Sequence, residues 1–412
     1  MIQDYDIVVV GAGMVGAALA AGLGHSGFSV ALVDRGSAPG FQPDSAPGIR
    51  VSALSTGSER YLTRIGAWAP IQAMRATPYA RLAVWDGTPH PLARLLPNTV
   101  ARTVFAARDL GSTHLGHIVE NNVTQQALWQ VASALPSVRV YANNGVAALD
   151  CAEVGATVTL EDHRRLRGQL VIGADGAQSQ IRTLAGISVS RDQYSQQALV
   201  ACVRYRGPVE DITWQAFFPS GPRAFLPLYA AGAAHGGETW ASLVWYDAPE
   251  VLARLKALPA EEFLAEVQRA FPNDLAPLTH VDSRASFPIA RQHAHQYAAD
   301  RVVLVGDAAH TINPLAGQGV NLGFQDAACL HGLLDEARRT GADLAAPALL
   351  HRYERVRRPA NRRMMLAMDA FYHLFSNRRV PLHLARNLGL GLAQALPYAK
   401  NRVARYAIGL DG

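Results

Sequence analysis

The first 34 residues constrain the fold more than any other stretch. DIVVV at 6–10 predicts a short buried strand, GAGMVG follows at 11–16, and then come a small-residue helix, AALAAGLGHSG, and a second strand from Phe28 to Val33 ending in Asp34. Each part has a mechanical reason. Gly11 permits the tight turn, Gly13 lets a pyrophosphate approach the backbone, and Gly16 lets the helix pack close to the strand. The helix N-terminus offers free N–H groups and partial positive charge to phosphates. Asp34, about 20 residues beyond the glycines, is placed to accept hydrogen bonds from a ribose. A lone GxGxxG is weak; strand, helix, second strand and terminal acid in register predict a dinucleotide site.

Two distant stretches repeat this logic. In RVVLVGDAAHTINPLAGQGVNLGFQD (301–326) an apolar run stops at Gly306-Asp307, a turn holds Pro314 and Gly317, and a helix begins near Gly319. A carboxylate beside free backbone N–H groups suits a polyoxygenated ligand; the plainer alternative is an ordinary strand–loop–helix crossover. Leu170 to Ile172 predicts a buried strand ending in GADGAQSQIR (173–182), which puts Asp175 at a strand end. A dehydrogenase using NAD needs only the first motif. FAD is longer and needs contacts at ribose, pyrophosphate, ribityl chain and ring, so all three are expected to serve it. Asp307 is assigned to the ribityl and pyrophosphate region. The helix start formed by Gly317, Gln318, Gly319 and Asn321 would offer its positive end to the flavin pyrimidine. Gln125, on the first turns of a helix at 119–135, is expected to face the cofactor. Arg50 either reaches the pyrophosphate or is a surface arginine.

From Gln193 the texture changes. Residues 197–206, 213–218, 223–229 and 239–246 cluster β-branched and aromatic side chains, with PSGP (219–222) as a hairpin-like turn. These predict an antiparallel sheet inserted between two pieces of the nucleotide domain. Trp214, Phe217, Phe225 and Trp245 are candidates for a substrate pocket, against the alternative that they are core. Residues 79–106 show no clear periodicity. After Asp326 the chain reads as helical, interrupted at Pro359. The expected class is α/β, with a discontinuous Rossmann-like FAD-binding domain (1–185 and 285–340), a mostly antiparallel β substrate domain (186–284) and a helical C-terminal region (341–412).

Composition narrows the setting. Three scattered cysteines without a CxxC pair argue against a disulfide framework, a zinc site or a dithiol centre, so no metal is expected and a reducing cytoplasm is. The acidic MIQDYD start leads straight into a strand, which predicts no secretory signal. No run of roughly 18 apolar residues suggests a spanning helix. The net charge is +5, but Arg338 to Gly412 holds fourteen Arg plus Lys against four acids, or +10. That region could meet anionic lipid or an acidic partner, or could be a solvated helix face. Its last segment, 380–410, is either an interfacial helix or a packing element.

The three motifs, with GDAAHTINPLAGQGVNLG (306–323), resemble the aromatic-ring hydroxylases of the p-hydroxybenzoate hydroxylase fold. PLAGQGVNLGFQD (314–326) is similar to the signature of their ubiquinone-biosynthesis branch, which usually has His where Asn313 stands. TINPLAGQGVNLG, QAMRATPYARL (72–82), GPRAFLPL (221–228) and LVWYD (243–247) look most like the branch members acting on a methylated, methoxylated polyprenyl benzoquinol. The resemblance implies a flavin monooxygenase: NAD(P)H reduces FAD, dioxygen adds, and the hydroperoxide gives one oxygen to an electron-rich ring. With no second GxGxxG, NAD(P)H is expected to bind transiently. No base is identified, and His310 beside the Gly-Asp turn reads as structural rather than catalytic. A polyprenylated quinol is nearly all hydrocarbon by area, which implies an apolar channel and contact with the inner membrane or a biosynthetic complex through the basic C-terminus; nucleic acid is not expected. Rivals are a sister ring hydroxylase, another flavoenzyme such as a prenyl-chain reductase, and a non-catalytic FAD-binding assembly subunit.

Overall fold

Strand β1 (Ile2–Val10), helix α1 (Met14–His25) and strand β2 (Val30–Val33) follow one another as the spacing predicts. The computed structural model describes residues 2–87, 102–232, 236–313, 317, 319–375 and 405. β1 lies between β2 and the strand Arg165–Gly173, and Val302–Leu304 and Val138–Tyr141 extend the parallel sheet outward on either side. Register makes this sheet functional. Val10 stands opposite both Gly173 and Val33, and Gly173 stands opposite Leu304. The loops starting at Gly11, Ala174 and Val305 therefore leave the sheet at one carboxyl edge, where open α/β sheets bind ligands.

A second sheet runs in the order His310–Thr311, Leu278–Ala294, Val189–Arg206, Glu238–Asp247, Gly221–Ala230, Ile212–Phe218, Arg81–Asp86, Arg102–Ala106. Its pairs are antiparallel except Ile212–Phe218 with Arg81–Asp86. The turn expected at PSGP does join a hairpin, with Phe218 opposite Gly221. Two of its strands come from the stretch read as aperiodic, so this sheet draws on chain well before residue 186. Helices Pro249–Ala257 and Ala260–Ala270 cover one face, packing Leu252, Leu255, Phe263 and Val267 onto Leu199, Val203 and Leu243. Between the large sheets, β3 (Val51–Ser55) pairs with Gly116–Glu120, which also pairs with Thr77–Tyr79. Helix α2 (Thr56–Arg64) follows β3 directly, capped by Ser55 Oγ, which accepts from Ser58 N.

The helix expected near Gly319 runs from Gly319 to Thr340. The next, Pro347–Phe375, continues through Pro359, so the expected interruption there is corrected. Proline deletes one backbone donor and crowds the preceding turn, at a cost of about 3 kcal/mol. Side-chain anchors flank the break: Arg357 and Asn361 both bond Asp326, and Arg358 Nε donates to Ala294 O at 3.4 Å. No helix among the described residues is long and apolar enough to cross a membrane.

Candidate functional site: a cleft at the carboxyl edge of the parallel sheet

The fingerprint loop is shaped by contact. Gly11 has φ +101°, and a Cβ there would lie 2.4 Å from Ala174 O; one on Gly16 would lie 1.9 Å from Gly11 O. A Cβ on Gly13 would meet no protein atom within 4 Å. The open side of this loop is thus where a ligand's phosphates can approach the backbone. Asp34 stands at the end of β2, its Oδ2 accepting from Ala12 N at 2.5 Å and its Oδ1 from Gly36 N at 2.7 Å. Gln125 Nε2 donates to Ala12 O at 3.0 Å, and Trp129 Nε1, which sequence reasoning missed, donates to the same oxygen at 2.6 Å. Gln125 thus touches the fingerprint loop through its own backbone.

Asp307 lies in the turn that follows Val302–Leu304 at the sheet's carboxyl edge. Its side chain reaches solvent, yet surrounding protein desolvates its carboxyl and raises its pKa, with His310 and Arg50 pulling the other way. The residue is thus open to solvent while closely surrounded by protein. Arg50 itself is exposed, 5.7 Å from the centre of the Phe287 ring. Gln292, also unforeseen, ties two edge loops together: its Nε2 donates to Asp307 O at 2.8 Å and Ala177 O at 2.9 Å. Arg182 does the same with Nη1 on Ala308 O at 2.8 Å and Nη2 on Ala177 O at 3.0 Å.

Two of the expected residues bond protein groups around the site. Asp175 lies at the predicted edge, but its carboxylate accepts from Ser179 Oγ, Gln180 N and Ile181 N, bracing the turn after the strand. Asn321 is 1% exposed and fully engaged: Oδ1 accepts from Ser55 N and Ser58 Oγ, and Nδ2 donates to Ala53 O and Gly317 O. Its side chain pins β3 to the helix start, whose N–H groups were the expected cofactor contact. Gly317 has φ +62° and a Cβ there would come 3.4 Å from Ala53 N, while Gly319 faces open space. Pro314 and Gln318 lie outside the described residues.

His310 belongs to a buried network beneath Gly306. Its Nε2 lies 2.5 Å from Asp326 Oδ2, which also accepts from Gly306 N at 3.1 Å; Oδ1 accepts from Arg357 Nε at 2.7 Å and Asn361 Nδ2 at 3.0 Å. Burial alone would raise the Asp326 carboxyl, but His310 and Arg357 outweigh it and hold the group well below the usual carboxylate range. The charge is therefore fixed, and the network holds the Gly-Asp turn in place.

The aromatic pocket candidates divide by strand parity. Trp214, Phe225 and Trp245 sit on the helix-covered face, Trp214 stacked on Phe225 at 5.6 Å and Phe271 edge-on to Trp214 and Trp245. These three are core, which corrects their assignment as pocket residues: successive strand residues face opposite ways. Phe217, an odd number of positions from Trp214, lies on the other face against Tyr246 and Phe375. On that inner face Val200, Val244 and Ala224 stand side by side across three strands, with Leu226 next along. All four keep partial exposure although their strands are internal to the sheet, whereas Leu199, Phe225 and Leu243 behind them are buried. These partly exposed aliphatic side chains form one apolar row on the face opposite the helices. At its end Asn313 is fully buried and accepts from Tyr246 O–H at 3.3 Å.

Comparison with known proteins agrees with this geometry. Residues 4–367 match the family described as FAD binding domain. The chain belongs to that family. It is 42% identical over 408 residues to the 3-demethoxyubiquinol 3-hydroxylase of Escherichia coli K12, covering 99% of both chains. It is 36% identical to ubiquinone hydroxylase UbiL of Rhodospirillum rubrum, over 98% of this chain and 89% of that protein, and 32% identical to human ubiquinone biosynthesis monooxygenase COQ6, over 98% and 92%. Among solved structures, p-nitrophenol 4-monooxygenase PnpA of Pseudomonas putida DLL-E4 has the same fold at a TM-score of 0.77 and 20% identity, over 100% of this chain and 98% of that one. The protein is an FAD-dependent monooxygenase. The open cradle at Gly13, the solvent-reached carboxylate of Asp307 at the sheet's carboxyl edge and the fixed turn at Gly306 fit the cofactor's pyrophosphate and polyhydroxy chain.

Proposed function

We propose that this enzyme hydroxylates the ring of a polyprenylated quinol or phenol in ubiquinone biosynthesis, most specifically 2-octaprenyl-3-methyl-6-methoxy-1,4-benzoquinol. NAD(P)H supplies two electrons, and dioxygen supplies one atom to the ring and one to water. The observation that carries the reading is end-to-end similarity to the E. coli 3-hydroxylase across both sheets at 42% identity. When bound, FAD relays the nicotinamide's electrons to dioxygen and delivers the electrophilic oxygen.

The chain's own groups bind, orient and exclude water. The Gly11–Gly16 loop takes the pyrophosphate and Asp34 the adenosine ribose, while Asp307 takes the ribityl hydroxyls with Arg50 nearby. Segments 1–185 and 285–340 supply these groups, and 186–284 supplies most of the substrate sheet. The row Val200, Ala224, Leu226 and Val244 forms an apolar wall for ring and tail. Burial pushes the Tyr246 hydroxyl far up, so it stays protonated and orients Asn313 instead of acting as a base. The basic region from 341 onward, whose residues 376–404 and 406–412 lie outside those described, is the candidate contact with the inner membrane or a partner enzyme.

A sister reaction at another ring position is the second reading, favoured by likeness to UbiL and COQ6 at 36% and 32% identity. Deleting the gene and identifying the accumulated intermediate separates the two. Accumulation of the 3-methyl-6-methoxy quinol supports the first, an earlier intermediate the second, and unchanged ubiquinone overturns both.

A further inference from the structure

Outside the cofactor cleft, three side chains converge that the hydroxylase reading does not use. Glu59 lies on α2, His117 on the strand Gly116–Glu120, and His114 just before that strand. His117 Nδ1 is 2.5 Å from Glu59 Oε1 and His114 Nε2 is 2.8 Å from Glu59 Oε2. The ligand atoms of all three lie within 4.8 Å of one another. Glu59 and His117 are 8% and 7% exposed, and the His114 side chain is 27% exposed. Both oxygens of the Glu59 carboxylate thus face imidazole nitrogens.

We infer that Glu59, His114 and His117 form a site for one divalent transition-metal ion of the Zn2+ class. Two imidazoles and one carboxylate make a set of nitrogen and oxygen donors that favours Zn2+ and its neighbours over Ca2+ or Mg2+, which prefer all-oxygen shells. Zinc takes such ligands at about 2.0–2.2 Å. A tetrahedral ion would therefore hold the donor atoms roughly 3.3 Å apart, so the present contacts need only open by several tenths of an ångström to admit it.

The surroundings complete the site. Thr113 Oγ1 lies 3.0 Å from His114 Nδ1, the kind of outer partner that fixes a ligating ring and its tautomer. Trp68 packs edge-on to His117 at 4.9 Å and also lines the groove beside it. The outer side opens to a groove of about 530 Å³ lined by Glu59, His114, Ser112, Arg60 and Arg405, which leaves a fourth position for water or an anion. Arg60 and Arg405 on the rim favour an anion over water in that fourth position. The absence of clustered cysteines predicted no metal, but that argument excludes only thiolate sites. The ion would clamp α2 to the strand that pairs with β3, since His117 stands opposite Leu54. β3 in turn holds Asn321.

The test is metal binding by the FAD-loaded, untagged enzyme. After dialysis against chelator, Zn2+ is titrated calorimetrically, with Ca2+ as control, and bound metal is counted by elemental analysis. One tight equivalent of Zn2+ and no comparable Ca2+ binding is expected. His114→Ala and the isosteric Glu59→Gln should each weaken it by more than about 100-fold, beyond the 10–100-fold typical of losing an outer-shell partner. Flavin content and circular dichroism of both variants show that they fold. Wild-type binding no tighter than in folded variants, or the absence of a stoichiometric site, overturns the assignment.

Discussion

Replacing Asp326 by alanine tests whether the Gly-Asp turn is held from below. Asp326 is 0% exposed and Arg357 7%. The substitution strips a buried guanidinium of its carboxylate and leaves Gly306 N–H and His310 Nε2 without their Asp326 partner. Removing one member of a buried pair costs about 3–5 kcal/mol, far more than the pair is worth against an apolar replacement. At about 2.1 cal/mol/K per residue, 412 residues have an unfolding entropy of ~0.9 kcal/mol/K, so a loss of ~4 kcal/mol lowers Tm by ~4–5 °C. Differential scanning calorimetry of the flavin-free protein reads this, and flavin content after gel filtration reads the effect on the turn. The double variant Asp326→Leu with Arg357→Met should recover much of the loss, because no unpaired charge remains. A single variant within about 1 °C of wild type, or one no more stable when Arg357 is also replaced, refutes the reasoning.

Val244→Phe should lower kcat/KM for the quinol about 10–200-fold, the range for a methylene-scale misfit in an apolar pocket, while flavin content is unchanged; Trp245→Phe, on the opposite face, should leave KM alone. Equal effects of the two would contradict the assignment of faces. Burial, with His310 and nearby arginines, lowers the His293 pKa from 6.5 to about 4. An unfolded chain therefore binds a proton that the folded one refuses, so stability is full above pH 6.5 and falls as pH drops from 6.5 toward 4. His293→Gln should flatten that acid limb in chemical denaturation series, and an unaltered limb assigns it elsewhere. Removing residues 380–412 should weaken vesicle or partner association with FAD still bound; undiminished association would remove the C-terminal contact from the account.

The gathering of the candidate cofactor residues at one sheet edge could be read because its signals are local. Gly11, Gly13, Gly16 and Asp34 lie within one βαβ unit, and Gly306-Asp307 ends its own strand. Tertiary cross-links were invisible: Gln292 and Arg182 act on backbone oxygens of loops far away in sequence, and no composition signal marks them. Asp175 and Asn321 were located correctly, but their partners decide their role, and those partners are protein groups. The aromatic candidates divide for a different reason. Side-chain size singled out Trp214, Phe225 and Trp245, which strand parity places in the helix-covered core, while the smaller Val200, Ala224, Leu226 and Val244 lie on the opposite face with Phe217. Alternation along 223–229 and 239–246 carried that information, but the inward direction needs the second sheet's packing partner. Pro359 misled because tertiary anchors on both sides outweigh a local helix penalty.

The most direct measurement supplies the purified, flavin-loaded enzyme with NAD(P)H, a short-chain analogue of the methoxylated benzoquinol and isotopically labelled dioxygen, and analyses the product by mass spectrometry. The account predicts a ring-hydroxylated quinol carrying one labelled oxygen, formed only when all three reactants are present. Consumption of NAD(P)H with only hydrogen peroxide formed, or a product whose new oxygen comes from water, would contradict it.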